Sequence, residues 1–501
     1  MNVSPSNAAL RIEPLWNAPA KPFAHTWAGM INVDQFRWFV RADMQEQLAR
    51  AVVELGARHV RAVGMFDDEM RFYTVDPATW QQPREQRPPE LNFQVIDYVM
   101  DALLERGLRP VFTTTFMPGA LAATEATVFE TGSRVSLPRD WALWEKLVTE
   151  AVRHAVARYG LAEVRQWYFE VWNEPNLRVF FDGEQKDFWQ LWERTRAAIK
   201  SVDAALRVGG PSTARGEWLP EFLAHTAAAG CPPDFLITHV YNNDGLFGAL
   251  SPFDGPQEER ASHSPHFAAR VIRGVRKLLG ELGYRGEVHW NEWGRTWHPT
   301  DPLRETPVEA AWCVKTMAEV ADQADCFAWW CLSDIYNQVG YQRSEFAAHY
   351  GMLSLHGLRK PVYVAHQMLN RLGNERVPVV GDGGEPLAHA IVTRRGAAWQ
   401  ALVYAFAETT EARATTVELI LPNQPERPPR LTRLGARENN ILAAWRAMGA
   451  PPYPSREQLK ELRAVNTFAP APADALRIES RSGRWVAVLE METPGLALVE
   501  T

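Results

Sequence analysis

The sequence predicts a (β/α)8 TIM barrel followed by a β-sandwich, an α/β class with an accessory all-β domain. Three observations predict it. Short strand-like and longer helix-like segments alternate eight times over the first two-thirds of the chain. The strand-like segments are apolar runs, as parallel strands covered on both faces must be. After about residue 375 the alternation gives way to short strands divided by Gly, Pro and Asn, the pattern of an antiparallel sandwich. A doubly wound open sheet also repeats βα units, but no G-x-G-x-x-G follows the first strand.

The elements follow in order. HTWAGMIN (25–32) reads as the first strand, and MQEQLARAVVELG (44–56) as an amphipathic helix stopped by a glycine. HVRAVGMF (59–66) and RPVFTTTF (109–116) are the second and third strands, separated by a helix within 93–107. A helix within 139–160 leads into the fourth strand, which runs up to WNEP (172–175). The pattern continues with helix 186–202, strand RVGGPS (207–212), helix 217–230, strand FLITHVYN (235–242) and helix 266–283. Strand EVHWNEWG (287–294), helix 308–322, strand CFAWWCLSD (326–334) and a last helix at 361–373 close the series. The barrel is placed at 15–373 and the sandwich at 374–501, with residues 1–14 as a further part of it. A helical insert (438–465) interrupts the sandwich.

Composition narrows the function. With 501 residues, one large barrel plus a smaller domain is the natural division. The formal net charge of −7 argues against a nucleic-acid surface. None of the four cysteines forms C-x-x-C, so they read as free, mostly buried thiols of a reducing compartment, with no metal expected. There is no basic-then-apolar leader and no 18-residue apolar run, so neither a signal peptide nor a membrane helix is expected. The cytoplasm is the expected location. Some of the 20 tryptophans, near strand ends, suit stacking on the C–H faces of sugars.

The chemistry is carried by two glutamates. In such a barrel the strand carboxyl ends open into the mouth where reactions occur. Glu174 ends the fourth strand by this count, and Glu292 the seventh, on opposed sides of the mouth. A lone strand-end Glu is as often a loop anchor or a helix cap. Two of them, set among Trp, Asn, His and Tyr, are what glycoside hydrolysis requires: one proton donor and one nucleophile or base. Glu170 shares the face of Glu174 by the two-residue repeat. It reads as a structural carboxylate paired inside the barrel. Pro175 fixes the chain's exit from the strand.

WYFEVWNEPNL (167–177) resembles the acid/base segment of glycoside hydrolase family 39, the β-xylosidase and α-L-iduronidase family of the barrel clan A. LGARHVRAVGMFDDEM, RPVFTTTFMPGALA, RVGGPS, THVYN, WNEWG and CFAWWCLSDIY follow the family's order. APPYPSREQLKELRAV resembles a motif of the accessory sandwich in the β-xylosidase branch. The resemblance implies Glu174 as general acid/base and Glu292 as nucleophile. It implies Asn173 on the sugar 2-OH, Tyr241 orienting Glu292, His239 lining the same subsite, Arg61 keeping Glu292 ionised and Trp330 as a platform beneath the sugar.

The sequence also departs from the family. β-Xylosidases of the family carry Arg-x-His-Gly on the second strand. Here the run is Arg61-Ala62-Val63-Gly64, with Val63 in place of a sugar-facing histidine. Two acidic residues after the eighth strand correspond here to Asn337 and Gln338, amides that bind hydroxyls more weakly than carboxylates do. The resemblance implies a retaining, cofactor-free exo-β-xylosidase acting on xylo-oligosaccharides. The alternatives are an α-L-arabinofuranosidase or other β-glycosidase of the family, and a non-catalytic carbohydrate-binding barrel. Family tetramers use a C-terminal tail absent here, so a monomer is expected.

Overall fold

A computed structural model describes residues 9–83, 88–244 and 264–501. Eight parallel strands lie side by side in sequence order: β1 (Met30–Gln35), β2 (His59–Val63), β3 (Arg109–Thr113), β4 (Tyr168–Glu170), β5 (Arg207–Ala214), β6 (Phe235–Tyr241), β7 (Glu287–Gly294) and β8 (Cys326–Trp329). Backbone bonds from Phe327 N to Thr26 O and from Leu332 N to Asn32 O, both 2.8 Å, bring the last strand against the first and close the cylinder.

Each strand is followed by a helix on the outside: α1 (Ala42–Leu55), α2 (Gln94–Glu105), α3 (Trp141–Tyr159), α4 (Gln185–Val202), α5 (Leu219–Ala228), α6 (Phe267–Glu281), α7 (Pro307–Val320) and α8 (Pro361–Asn370). The sequence dictates their ends. Gly56 stops α1 in the left-handed conformation (φ 69°), which glycine adopts without strain. Asp140 caps α3 by accepting from Leu143 N, and Glu184 and Asp187 form a reciprocal capping pair on α4. One apolar core joins the strands to the inner helix faces, with Trp144, Trp192, Trp290, Trp293 and Trp312 fully buried.

Beyond the barrel, two sheets face each other. One contains Leu10–Ile12, Arg413–Ile420, Arg484–Thr493 and Leu476–Arg481. The other contains Arg430–Leu434, Gly495–Glu500, Ala398–Ala405, Ala388–Arg395, Glu375–Val377 and Lys21–Pro22. A second apolar core, including Ile12, Val403, Leu419, Leu489 and Val499, lies between them. Two helices, α9 (Ile441–Ala447) and α10 (Arg456–Val465), form the expected insert. Ser455 begins α10 with a capping box.

The structure corrects two boundaries. The first strand begins at Met30 and not at residue 25, because His25–Gly29 form a turn pinned by Trp27 Nε1 to Asn370 Oδ1 at 3.0 Å. β4 stops at Glu170, so Glu174 lies four residues beyond its end. Residues 1–8 of the segment assigned to the sandwich lie outside the described residues.

Candidate active site

The strand carboxyl ends gather polar side chains that are otherwise rare in a core. Glu292 is placed by β7 itself, opposite His239 of β6 in the strand register. Glu174 is placed by a bend after β4, where Trp172 (φ 67°) and Glu174 (φ 46°) both adopt left-handed backbone. That conformation costs a non-glycine residue of the order of 1 kcal/mol and persists where the surroundings over-determine it. Here Glu174 N donates to Ser212 O at 2.8 Å. Adjacent Pro175 disfavours right-handed helical backbone at its predecessor, so the chain does not run straight on into a helix there.

The centre of the site is a buried ion network. Arg61 is fully buried and spends its fork on Glu170, through Nε to Oε2 at 2.8 Å and Nη2 to Oε1 at 2.9 Å. Ser212 Oγ (2.5 Å) and Asn291 Nδ2 (2.9 Å) also donate to Glu170, which saturates a carboxylate that sees no water. Glu170 is therefore the paired structural carboxylate expected, although it does not owe its position to sharing a strand face with Glu174. Arg61 Nη1 continues to Glu292 Oε2 at 3.1 Å, and Tyr241 Oη donates to Glu292 Oε1 at 2.8 Å. Both Glu292 oxygens are thus held by donors, which fixes the carboxylate plane.

Glu174 differs. Among the described residues no guanidinium or hydroxyl bonds its carboxyl. Its side-chain partner among the described residues is His239, with Nδ1 2.9 Å from Glu174 Oε1 and 3.7 Å from Glu292 Oε2. One nitrogen or oxygen from each of Glu174, His239 and Glu292 fits within a span of 4.8 Å. His239 is completely buried between the two glutamates.

Electrostatics separates the two carboxyls. Burial pushes Glu174 from 4.5 up to about 7, against the opposing pull of Arg61 and Arg215. Burial and the neighbouring Glu174 also raise Glu292, but the Arg61 charge and the Tyr241 hydroxyl pull it back. Burial lowers His239 to about 4, so its imidazole is neutral at neutral pH. The Tyr241 hydroxyl is raised well above 10, by burial first and then by Glu292, and it remains a donor. Arg61 stays charged because Glu170 and Glu292 offset its burial.

The remaining expected residues lie on the same rim. Asn173 Oδ1 accepts from Arg61 Nη2 at 2.6 Å, which leaves its NH2 for a ligand. Trp330 sits in an aromatic wall with Tyr241, Tyr336 and Tyr350. Asn337 Oδ1 accepts from Arg37, and its backbone N–H donates to Asp34 Oδ2 at 3.1 Å. Gln338 accepts from the Tyr336 hydroxyl at 2.8 Å. Val63 is buried in the core, on the strand that carries Arg61.

Sequence reasoning missed Ser212, Asn291, Arg37 and Asp34. The signal for Asp34 was present, since INVDQ puts a carboxylate near the end of β1 just as Glu292 stands near the end of β7. Ser212 and Asn291 carried no signal, because their importance comes from sharing Glu170.

The Glu174–His239–Glu292 group has the spacing of metal ligands. However, the Glu292 oxygens already accept from Arg61 and Tyr241, so the donor set suits proton transfer better than coordination. A second acidic group, His266, Glu319 and Glu385, is ion-paired with Lys315, Arg270 and Arg273. No described helix is long and apolar enough to cross a membrane.

Comparison with known proteins gives a consistent picture. The model of the family described as "Glycosyl hydrolases family 39" matches residues 10–482. A β-xylosidase of Caldicellulosiruptor saccharolyticus is 32% identical over 445 residues, 87% of each chain. A β-xylosidase of Geobacillus stearothermophilus is 29% identical over 447 residues, 88% of this chain and 86% of that one. The crystal structure of a monomeric β-xylosidase from Caulobacter crescentus CB15 superposes with a TM-score of 0.83 at 28% identity, covering 98% of this chain and 99% of the other.

Proposed function

The chain belongs to glycosyl hydrolases family 39 and is a glycoside hydrolase, and from that premise we propose that it is a retaining exo-β-xylosidase acting on short xylo-oligosaccharides. The observation that carries the reading is the spacing of two unlike carboxyls. A Glu174 oxygen and a Glu292 oxygen lie within 4.8 Å. A retaining pair stands about 5–5.5 Å apart, whereas an inverting pair needs about 6.5–9.5 Å to admit water.

In this reading Glu292 attacks C1 of the xylosyl unit. The C1–O bond breaks with its electron pair going to the leaving oxygen, which takes the proton of Glu174. Arg61 and Tyr241 hold Glu292 in line and favour its anion. Asn173 offers its NH2 to the 2-oxygen as charge develops at C1. Esterification then removes the negative charge of Glu292, a charge that disfavours ionisation of its neighbour. Glu174 therefore ionises more readily and takes the proton of the incoming water. The water oxygen bonds C1, and Glu292 departs with its electron pair.

Two relatives that are β-xylosidases, Asn173 and the Trp330 wall support this substrate. The named monomeric relative supports a monomer. The reading is tested with a panel of aryl glycosides and proton NMR of the first-formed sugar. Fastest release from the β-xyloside, with β-xylose appearing first, is expected. First-formed α-xylose would sink the retaining assignment. Faster cleavage of an α-L-arabinofuranoside would replace the substrate.

A further inference from the structure

Two amides in the mouth are turned by neighbours that cannot accept a hydrogen bond. Arg61 Nη2 donates to Asn173 Oδ1, and Arg37 Nη2 donates to Asn337 Oδ1. A guanidinium carries donors only, so each amide must face it with oxygen and leave its NH2 on the other side. Among the described residues neither NH2 has a protein partner, and neither is a buried polar atom sealed from water.

Asn337 is held firmly in that orientation. Its backbone N–H is tied to Asp34, which is buried and also accepts from Trp38 Nε1 at 2.9 Å. Arg37 stacks on the Trp38 ring with 4.4 Å to the centroid and pairs with Glu69. The neighbouring Gln338 accepts from the Tyr336 hydroxyl at 2.8 Å through its amide oxygen. Asn337 thus has a hydrogen to give on this side of the mouth, and it directly follows Tyr336 of the aromatic wall.

We propose that Asn337 determines specificity by offering the sugar a donor and no acceptor, so that the oxygen opposite it need not carry a hydrogen. The proposal rests on the reading of this mouth as the sugar site. A carboxylate at this position would require a hydroxyl to donate to it and would repel any oxygen without a hydrogen. The Asn337 NH2 donates to a hydroxyl, an ether or an ester oxygen alike. The implied substrate class is a xyloside whose hydroxyl at that one position is O-substituted.

The test uses aryl xylosides in which each ring hydroxyl in turn is replaced by fluorine, an acceptor of hydroxyl size. The ratio of kcat/KM for the fluoro compound to that for its parent is compared between wild type and Asn337→Asp. Comparing one substrate pair across two enzymes cancels the effect of fluorine on intrinsic reactivity. At one ring position other than the 2-position, Asn337→Asp should lower the ratio by about 10- to 100-fold, the range of a hydrogen bond to a charged partner. Arg37→Met leaves Asn337 in place but frees its amide to turn, and should lower the same ratio by less.

A mono-O-methyl xyloside at the responding position should be turned over by the wild type and rejected by Asn337→Asp. Rejection by both would overturn the O-substituted class. An active wild type with no selectively responding position overturns the proposal and leaves the xylosidase reading intact. If the protein instead prefers another sugar, that reading fails and the same ratios are taken on the preferred glycoside. Thermal melting checks both variants, and Arg37→Met carries the test if Asn337→Asp does not fold.

Discussion

The carboxyl proposed as the acid, Glu174, should be a liability to the fold, and Glu174→Gln should expose that liability. Glu174 is buried, and its ionisation is displaced from 4.5 to about 7. At 1.36 kcal/mol per pH unit, ionising it in the folded protein costs about 3 kcal/mol more than in the unfolded chain. The folded value is the raised one, so the native state binds the proton more tightly. The stabilising effect is complete below 4.5 and is lost as pH rises through about 7. A glutamine of the same shape carries no charge at any pH and can still meet His239 Nδ1. Glu174→Gln should therefore stabilise the protein by about 3 kcal/mol at pH 8.5 and by only about 1 kcal/mol at pH 5, while abolishing acid catalysis on poor leaving groups. Guanidinium unfolding at the two pH values measures the difference. An equal shift of the midpoint at both, or destabilisation at pH 8.5, would refute the claim that burial keeps this carboxyl protonated.

Other outcomes follow from the same geometry. Activity on aryl glycosides with poor leaving groups should decline above about pH 7 as Glu174 ionises, with an acid limb above the ordinary 4.5 of Glu292, and a rate still rising at pH 9 would contradict the assigned acid. Glu174→Ala should keep substantial activity on dinitrophenyl glycosides and gain turnover with azide, whereas Glu292→Ala should be almost inert. An azide response in the second variant alone would reverse the two roles. Tyr241→Phe removes a donor to the Glu292 anion. It should lower kcat/KM by about 10- to 100-fold and move the acid limb to higher pH, and an unmoved limb would count against the contact. Arg61→Met should cost about 3–5 kcal/mol by stranding Glu170, and adding Glu170→Met should recover much of the stability and none of the activity.

Much of this was legible in the chain itself. Apolar runs spaced by amphipathic helices named the barrel, because a strand buried on both faces cannot alternate in polarity. Glu292 could be placed because it lies within a regular strand, where the repeat of side chains is fixed. Glu174 was identified by its neighbours, yet its geometry was not. The strand ends four residues earlier, and the bend that delivers its carboxyl depends on Ser212 O, a partner 38 residues away. The first strand was placed early because the turn before it is as apolar as the strand, and is fixed by Asn370 from the far end of the barrel.

The sequence by itself determined the architecture and the pair of carboxyls, since both are written in local periodicity and in single residues. The tertiary structure alone decided how those residues behave. It buries Glu174 with no cation hydrogen-bonded to it among the described residues and so favours its protonated form, while it gives Glu292 Arg61 and Tyr241. It sets Arg61 to serve Glu170, Glu292, Asn173 and Asn32 at once and uses Arg37 to turn Asn337. Desolvation and charge proximity depend on what folding brings within a few ångströms, and residues 30 to 300 positions apart have no local pattern to announce it.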